Sequence, residues 1–266
     1  MATMEKAFTL VQITDPHLHA SSEGTLLGMN TEDSLKLIVK RVQEEVSNID
    51  LILATGDIAQ DSSVGAYENF VSFVEPLKAP MRWIPGNHDN RENMATVAQG
   101  TDYANAITEL GNWVVVMLDS VVPKKVYGSL AQDQLDTLKQ ALEQFTDKYI
   151  LIAFHHHPVS MKSQWIDKIG VKNSDELQKI IAPYNNIRAI VCGHVHQASD
   201  VVINGFRYIS TPSTCVQFLP ESKDFGIDSS GPGYRTLTLN PNGEIDTHVS
   251  RIEGVDFKID YTQQGY

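Results

Sequence analysis

Five short apolar runs in this chain stop abruptly, and each is followed at once by side chains that bind metals or protons. Phe8 to Thr14 leads into Asp15-Pro16-His17, Leu51 to Ala54 into Thr55-Gly56-Asp57, and Met81 to Ile84 into Pro85-Gly86-Asn87-His88-Asp89. Tyr149 to Phe154 leads into His155-His156-His157-Pro158, and Ile187 to Cys192 into Gly193-His194-Val195-His196. Apolar runs of this length bounded by turn residues read as buried strands. Open α/β sheets bind their ligands just beyond the carboxyl ends of their strands. A single Gly-Asp is an ordinary turn sequence. The same polar chemistry at the ends of five strands is not explained by turn preference.

The stretches between the runs supply helices. Asn30 or Thr31 caps one with Leu35, Val39, Val42 and Val46 at helical spacing, and Ser62 or Ser63 begins another with Tyr67, Phe70, Val71 and Val74 on one face. Ser129 is expected to cap a helix carrying Leu135, Leu138 and Leu142, and Ser174 to open one with Leu177, Ile180 and Ile181. Trp113 to Leu118 adds a strand, while residues 90–111 look partly helical with weak periodicity. Past His196 the pattern changes to short strands in hairpins. Val201 to Ile203 and Phe206 to Ile209 meet at Asn204-Gly205, and Arg235 to Leu239 and Glu244 to Val249 meet around Asn240-Pro241-Asn242-Gly243. The expected class is α/β (α+β): a four-layer α-β-β-α sandwich, two mixed sheets face to face with helices outside. Residues 1–253 are expected to form one domain and 254–266 a C-terminal tail.

Composition narrows the class of partner. The longest apolar runs are strand-sized, well short of the roughly 20 residues that cross a bilayer, so no membrane span is expected. Glu5 and Lys6 stand just before the first strand, which argues against a signal peptide and for the cytoplasm. The net charge of -12 argues against a nucleic-acid partner, although bound cations would let a small phosphate ester approach. Cys192 and Cys215 offer no disulfide framework.

Carboxylates mixed with imidazoles suit zinc, manganese or iron(II), and the set is too large for one ion. One carboxylate can bridge two ions about 3.5–4 Å apart, and Asp57 is the natural bridge. Gly56, Gly86 and Gly193 precede candidate ligands, which suits turns where backbone must approach closely.

The blocks Asp15-x-His17, Gly56-Asp57, Gly86-Asn87-His88-Asp89, His156-x-Pro158 and Gly193-His194-x-His196 together resemble the signature of the calcineurin-like metallophosphoesterases. Leu27-Gly28-x-Asn30-Thr31, Ala54 to Asp61 and Thr211 to Phe218 extend the resemblance to the bacterial class III 3',5'-cyclic AMP phosphodiesterases, over nearly the whole chain. The resemblance implies the metallophosphoesterase fold. It also implies a first ion on Asp15, His17, Asp57 and His196, and a second on Asp57, Asn87, His156 and His194. His156 is preferred because the family ligand stands two residues before the proline, with His155 as the alternative. Catalysis by His88 is implied: held by Asp89 or a nearby backbone group, it would act as acid to the departing 3'-oxygen or stabilise the charged phosphoryl group. His17, Asp57, Asn87, His88 and His196 would contact the substrate.

The implied reaction is attack of a metal-bound hydroxide on a cyclic nucleotide, in a monomer or homodimer. The nucleoside would lie against the loop from Val159 to Lys172 with Trp165, or against Thr211 to Phe218. Broader action on 2',3'-cyclic nucleotides or dinucleoside polyphosphates is the enzymatic alternative. An inactive scaffold of this fold, as in the retromer subunit, is the non-enzymatic one. The tail, with Phe257, Tyr261 and Tyr266, would dock over the domain or on a partner.

Overall fold

The computed structural model describes residues 6–265, so Glu5 before the first strand and Tyr266 of the tail lie outside the described residues. In chain order the main strands are β1 Phe8–Ile13, β2 Leu51–Ala54, β3 Met81–Trp83, β4 Ile107–Leu110, β5 Trp113–Met117 and β6 Tyr149–Ala153. They continue with β7 Ile187–Cys192, β8 Ser199–Ile203, β9 Phe206–Ser210, β10 Gly233–Leu239 and β11 Ile245–Arg251. The helices are α1 Thr31–Glu45, α2 Val64–Val74, α3 Arg91–Val97, α4 Gln132–Gln144 and α5 Ser174–Ile181.

A five-stranded sheet runs β11-β10-β1-β2-β3 and a six-stranded sheet β8-β9-β7-β6-β5-β4. β1, β2 and β3 are parallel, as are β5, β6 and β7. The five strands whose ends carry the polar clusters therefore discharge at two sheet edges, three from one sheet and two from the other.

Alternation along the strands sorts the layers, because successive Cβ atoms point to opposite faces. Val11, Ile13, Ile52 and Ala54 pack with Leu35, Ile38 and Val42 of α1 and with Tyr67 and Phe70 of α2. Their neighbours Leu10, Leu51 and Leu53 face the other way and join Val114, Val116, Leu151 and Val191 of the second sheet. Leu135, Leu138 and Leu142 of α4 and Leu177 and Ile181 of α5 close the same cluster from the far side. The result is the expected four-layer sandwich of two mixed sheets between helices.

Polar groups also cross between the sheets. The buried Gln12 amide donates to Thr55 Oγ1 at 2.9 Å and to the Cys192 carbonyl at 3.2 Å, so β1 is tied to the end of β7. Arg235 is 4% exposed and donates to the Ser210 carbonyl at 2.8 Å and to Thr247 Oγ1 at 2.9 Å. Burial pushes its guanidinium down to about 10. Both groups meet the rule that buried polar atoms are hydrogen-bonded.

Asn30 caps α1 by accepting from the Asp33 N–H, and Ser63 caps α2 by accepting from Ala66. One local expectation changes and another is filled in. Helix α4 starts at Gln132 behind Ala131, and Ser129 instead donates to Asn173 Oδ1 at 3.0 Å, joining its loop to the start of α5. Residues 90–111 are partly helical as expected, in the short α3, and they also hold Ile107–Leu110, an edge strand antiparallel to β5. That strand is half-exposed on both faces, so it lacks the alternation that marks a strand.

The tail folds back onto its own chain. Phe257 and Ile259 pack against a small core of Leu26, Met29, Ile166, Val216 and Phe218, and the Asp260 N–H donates to the Leu27 carbonyl at 2.8 Å. Among the described residues, no helix is long and apolar enough to cross a membrane.

Leu53→Ala is expected to cost about 2–5 kcal/mol by urea denaturation, because Leu53 is fully buried between the sheets. Val202→Ala, at a side chain 69% exposed on an edge strand, is expected to change stability by no more than about 0.5 kcal/mol.

Candidate metal centre

The polar residues at the strand ends sit on strained backbone. Asp15, His17, Asp57, His194 and His196 all have φ between 48° and 66°, the left-handed region that costs a residue bearing a Cβ about 1–2 kcal/mol. Backbone bonds hold these turns: the Asp15 N–H donates to the Gly56 carbonyl and the His17 N–H to the Asp57 carbonyl, both at 3.0 Å. Two of the glycines noted in the sequence are required by contact. A Cβ on Gly86 would stand 2.2 Å from Asp57 Oδ1, and one on Gly193 would stand 2.1 Å from Thr14 Oγ1 and 2.6 Å from Asp15 Oδ2.

The side chains gather into two clusters that meet at Asp57. In the first, His196 Nε2 lies 3.3 Å from Asp15 Oδ1 and 3.2 Å from His17 Nε2, and His17 Nε2 lies 3.9 Å from Asp57 Oδ2. In the second, His155 Nε2 lies 3.3 Å from Asp57 Oδ2, 3.3 Å from Asn87 Oδ1 and 3.2 Å from His194 Nδ1. Asp57 Oδ2 makes no hydrogen bond although it is buried, whereas Oδ1 accepts from the His88 N–H at 2.9 Å.

The far nitrogens are anchored. His196 Nδ1 is 2.8 Å from the Val216 carbonyl, His155 Nδ1 is 2.8 Å from the Thr55 carbonyl, and His17 Nδ1 is 2.7 Å from Gln60 Oε1. A carbonyl accepts only from N–H, so Nδ1 carries the proton in neutral His155 and His196 and Nε2 presents its lone pair inward. Inward lone pairs beside a buried carboxylate oxygen that makes no hydrogen bond leave an electron-rich hole. These donors fit divalent cations, since oxygen and imidazole nitrogen in this mixture suit zinc, manganese and iron.

The triplet divides its work. His155 Nε2 points at Asp57 and Asn87, whereas His156, the ligand that the motif spacing favours, joins His155 and His194 in a group whose ligand atoms lie within 4.8 Å of one another and has Nδ1 2.8 Å from Ser120 Oγ and Nε2 3.1 Å from the Val126 carbonyl. His157 stacks on the His194 ring at 5.8 Å.

The electrostatics follow from burial and from the two carboxylates. Burial drives the His17 imidazolium down to about 3, and burial together with neighbouring histidines holds His194 and His156 well below their ordinary value. Burial also opposes the His155 imidazolium, but the adjacent Asp57 carboxylate outweighs it and raises the group to about 9. Burial works against the Asp15 and Asp57 carboxylates too. His196 beside Asp15, and His155 and His88 beside Asp57, nevertheless lower both. The Asp89 carboxyl is raised to about 7 by burial and by Asp57.

Asp89 was a candidate to orient His88, but its carboxylate accepts from the backbone N–H groups of Ile58, Ala59 and Gly86 at 3.1, 2.9 and 2.8 Å. It thereby clamps the turn bearing Asn87 and His88 onto the turn bearing Asp57. The His88 ring stands edge-on to His17, with centroids 5.0 Å apart. His88, Asn87 and His194 line an open cleft of about 440 Å³ together with Trp165, Phe218 and Phe225.

Thr211 to Phe218, one of the expected nucleoside contacts, mostly buttresses the first cluster. Ser213 Oγ donates to the Asp15 carbonyl at 2.7 Å, and Phe218 stacks on His196 with centroids 4.1 Å apart. Supporting groups absent from the sequence reading are the Thr55 and Val216 carbonyls, Ser120, Lys124, Lys125 and Phe225. Ser120 was within reach of the strand-end rule, since Asp119-Ser120 follows the apolar run of β5. A carbonyl carries no such signal.

An α-β-β-α sandwich with two Asp- and His-rich clusters sharing one carboxylate defines a class of dimetal phosphoester hydrolase folds. A family model of the calcineurin-like phosphoesterases matches residues 8–198. The 3',5'-cyclic adenosine monophosphate phosphodiesterase CpdA of Pseudomonas aeruginosa is 46% identical over 97% of this chain and 94% of its own length. The protein of the same name from Escherichia coli K12 is 36% identical over 98% and 96%. Among solved structures, a dimetal phosphatase from Danio rerio superposes with a TM-score of 0.64 at 18% identity, covering 92% of this chain and 98% of its own. The chain belongs to the calcineurin-like phosphoesterase family.

Gly86→Ala is expected to push the Asp57 turn aside and lower stability by about 1–3 kcal/mol in chemical denaturation, the usual cost of overpacking a closed site. Gly100→Ala is the control: its Cβ would meet nothing within 4 Å, so its cost is confined to its left-handed φ of 78°.

Proposed function

We propose that the chain is a phosphodiesterase that hydrolyses 3',5'-cyclic AMP to 5'-AMP with two divalent metal ions. The observation that carries this is the buried, hydrogen-bond-free Asp57 Oδ2 shared by two clusters, in a chain nearly half identical to a protein named for that activity. Asp15, His17, Asp57 and His196 would hold the first ion. Asp57, Asn87, His194 and His155 would hold the second. His155 is preferred here over His156 because its Nε2 faces Asp57, Asn87 and His194, while that of His156 faces the Val126 carbonyl. Iron, manganese and zinc all suit these donors.

Two ions so held would supply a water activated at neutral pH and positive charge beside the phosphoryl oxygens. The residues do the remaining work. Asp57 keeps the clusters together, and Asn87 and His88 present their side chains to the cleft where the phosphodiester would lie. His88, on the turn that Asp89 clamps, would donate the proton taken by the departing 3'-oxygen or steady the charge on the phosphoryl group. His17 and His196 would flank the phosphoryl oxygens from the first cluster. In this reading residues 1–253 form one catalytic domain and the cytoplasm is its compartment. A net charge of -12 argues against a nucleic-acid substrate.

Protein purified without chelator should carry about two transition-metal ions per chain by elemental analysis. With manganese it should release 5'-AMP from the 3',5'-cyclic isomer faster than it opens the 2',3'-isomer. Absence of 3',5'-cyclic AMP turnover under every metal would refute the proposal, and the reverse preference would point to a broader phosphoesterase. His88→Ala should lower kcat by roughly 10²–10⁴-fold while both ions are retained. His155→Ala should lose one ion, whereas His156→Ala should keep both. The opposite pattern of metal loss would return the ligand role to His156.

A further inference from the structure

The cleft beside the metal centre has walls of contrasting chemistry. It is lined by Asn87, His88 and His194 of the centre, by the aromatic Trp165, Phe218 and Phe225, and by Lys124 and Lys125, both exposed. We propose that Trp165 and Phe225 form the stacking wall for the nucleobase, so that they set the preference for a nucleotide over other phosphodiesters. This rests on the reading of the centre as a phosphodiesterase.

Two loops that are distant in sequence build this wall, and they are laced together. The Gln164 N–H donates to the Ser222 carbonyl at 2.9 Å, the Ser222 N–H donates to Ser163 Oγ at 3.2 Å, and Trp165 Nε1 donates to Ser222 Oγ at 3.0 Å. The indole is thereby fixed before any ligand arrives, which spares the cost of ordering it on binding. Trp165 meets Phe218 edge-on at 5.1 Å and Phe225 at 5.2 Å, and Phe218 in turn lies flat on the His196 ring. The wall is therefore continuous with the metal centre. Trp165 and Phe225 are half-buried and line the cleft, whereas Phe218 is almost wholly covered.

The lysine-bearing loop is also held. Residues 120–128 are stapled by His156, whose two ring nitrogens face Ser120 Oγ and the Val126 carbonyl. A Cβ on Gly128 would collide with the His156 ring at 2.4 Å, so the loop closes directly on that side chain. Two exposed lysines and an aromatic face thus line the same cleft. An anion whose base is planar and apolar on its faces matches both walls, and a base-free phosphodiester matches only one. Stacking on an aromatic wall tolerates any base, so the wall selects nucleotides as a class.

The test uses manganese-loaded full-length protein and two equilibrium probes with the same phosphate, 5'-AMP and ribose 5-phosphate, titrated by calorimetry. Wild type should bind 5'-AMP about tenfold to hundredfold more tightly than ribose 5-phosphate. Trp165→Ala and Phe225→Ala should each remove about tenfold of that difference while leaving ribose 5-phosphate binding and metal content unchanged. Trp165→Phe should restore most of it. Equal binding of the two probes by wild type would overturn the proposal, as would alanine variants that keep the full difference or lose affinity for both probes alike. Phe225→Ala carries the test if Trp165→Ala fails to fold by circular dichroism. Turnover of 3',5'-cyclic AMP by wild type is measured separately, so failure of the phosphodiesterase reading and failure of the stacking wall give different results.

Discussion

Two carboxylates, Asp15 and Asp57, lie fully buried at the ends of adjacent parallel strands, and much of the structure answers to that burial. Removing an ion from water costs several kcal/mol, and two like charges close together raise that cost. The compensation is local and dense. The His194 N–H donates to both oxygens of Asp15 at 3.1 Å, the His88 N–H donates to Asp57, and histidines crowd the remaining lone pairs. Five left-handed residues and two glycines in close contact with carboxylates are the backbone consequence, because only such turns bring these donors to the carboxylates.

The sandwich acts as the jig. Asp15, His17, Asp57 and Asn87 come from the five-stranded sheet, whereas His155, His194 and His196 come from the six-stranded one. Neither sheet holds a complete centre. Their relative position therefore matters to a fraction of an ångström, and Gln12 serves it by joining Thr55 on one sheet to the end of β7 on the other. The Thr211 to Phe218 segment adds a third support, with Ser213 on the Asp15 carbonyl and the Val216 carbonyl on His196. The family resemblance in this segment thus has a structural cause as well as a functional one.

Most of this was legible in the residue order. Each of the five strand-end clusters lies where an apolar run stops, the hairpin at Asn204-Gly205 forms as its turn preference requires, and Asn30 caps α1. These features are local, so spacing and turn chemistry are enough to find them. Legibility failed where the cause was distant. Ser129 looks like a helix cap, yet Asn173, 44 residues away, takes its hydroxyl. Ile107–Leu110 is a strand only because β5 lies beside it.

By itself the sequence determined that acids and histidines would collect at the carboxyl ends of strands in a layered α/β protein, because short-range periodicity dictates both the strands and where they stop. Only the tertiary structure decided which of these side chains meet. Motif spacing favours His156; in the folded chain His155 is turned toward Asp57, both histidines lie within reach of His194, and His156 also holds the lysine-bearing loop. Both rings lie against His194, with centroids 5.0 and 4.5 Å away, and what separates them is the second partner of each, the Thr55 carbonyl for His155 and Ser120 with the Val126 carbonyl for His156, which come from distant parts of the chain.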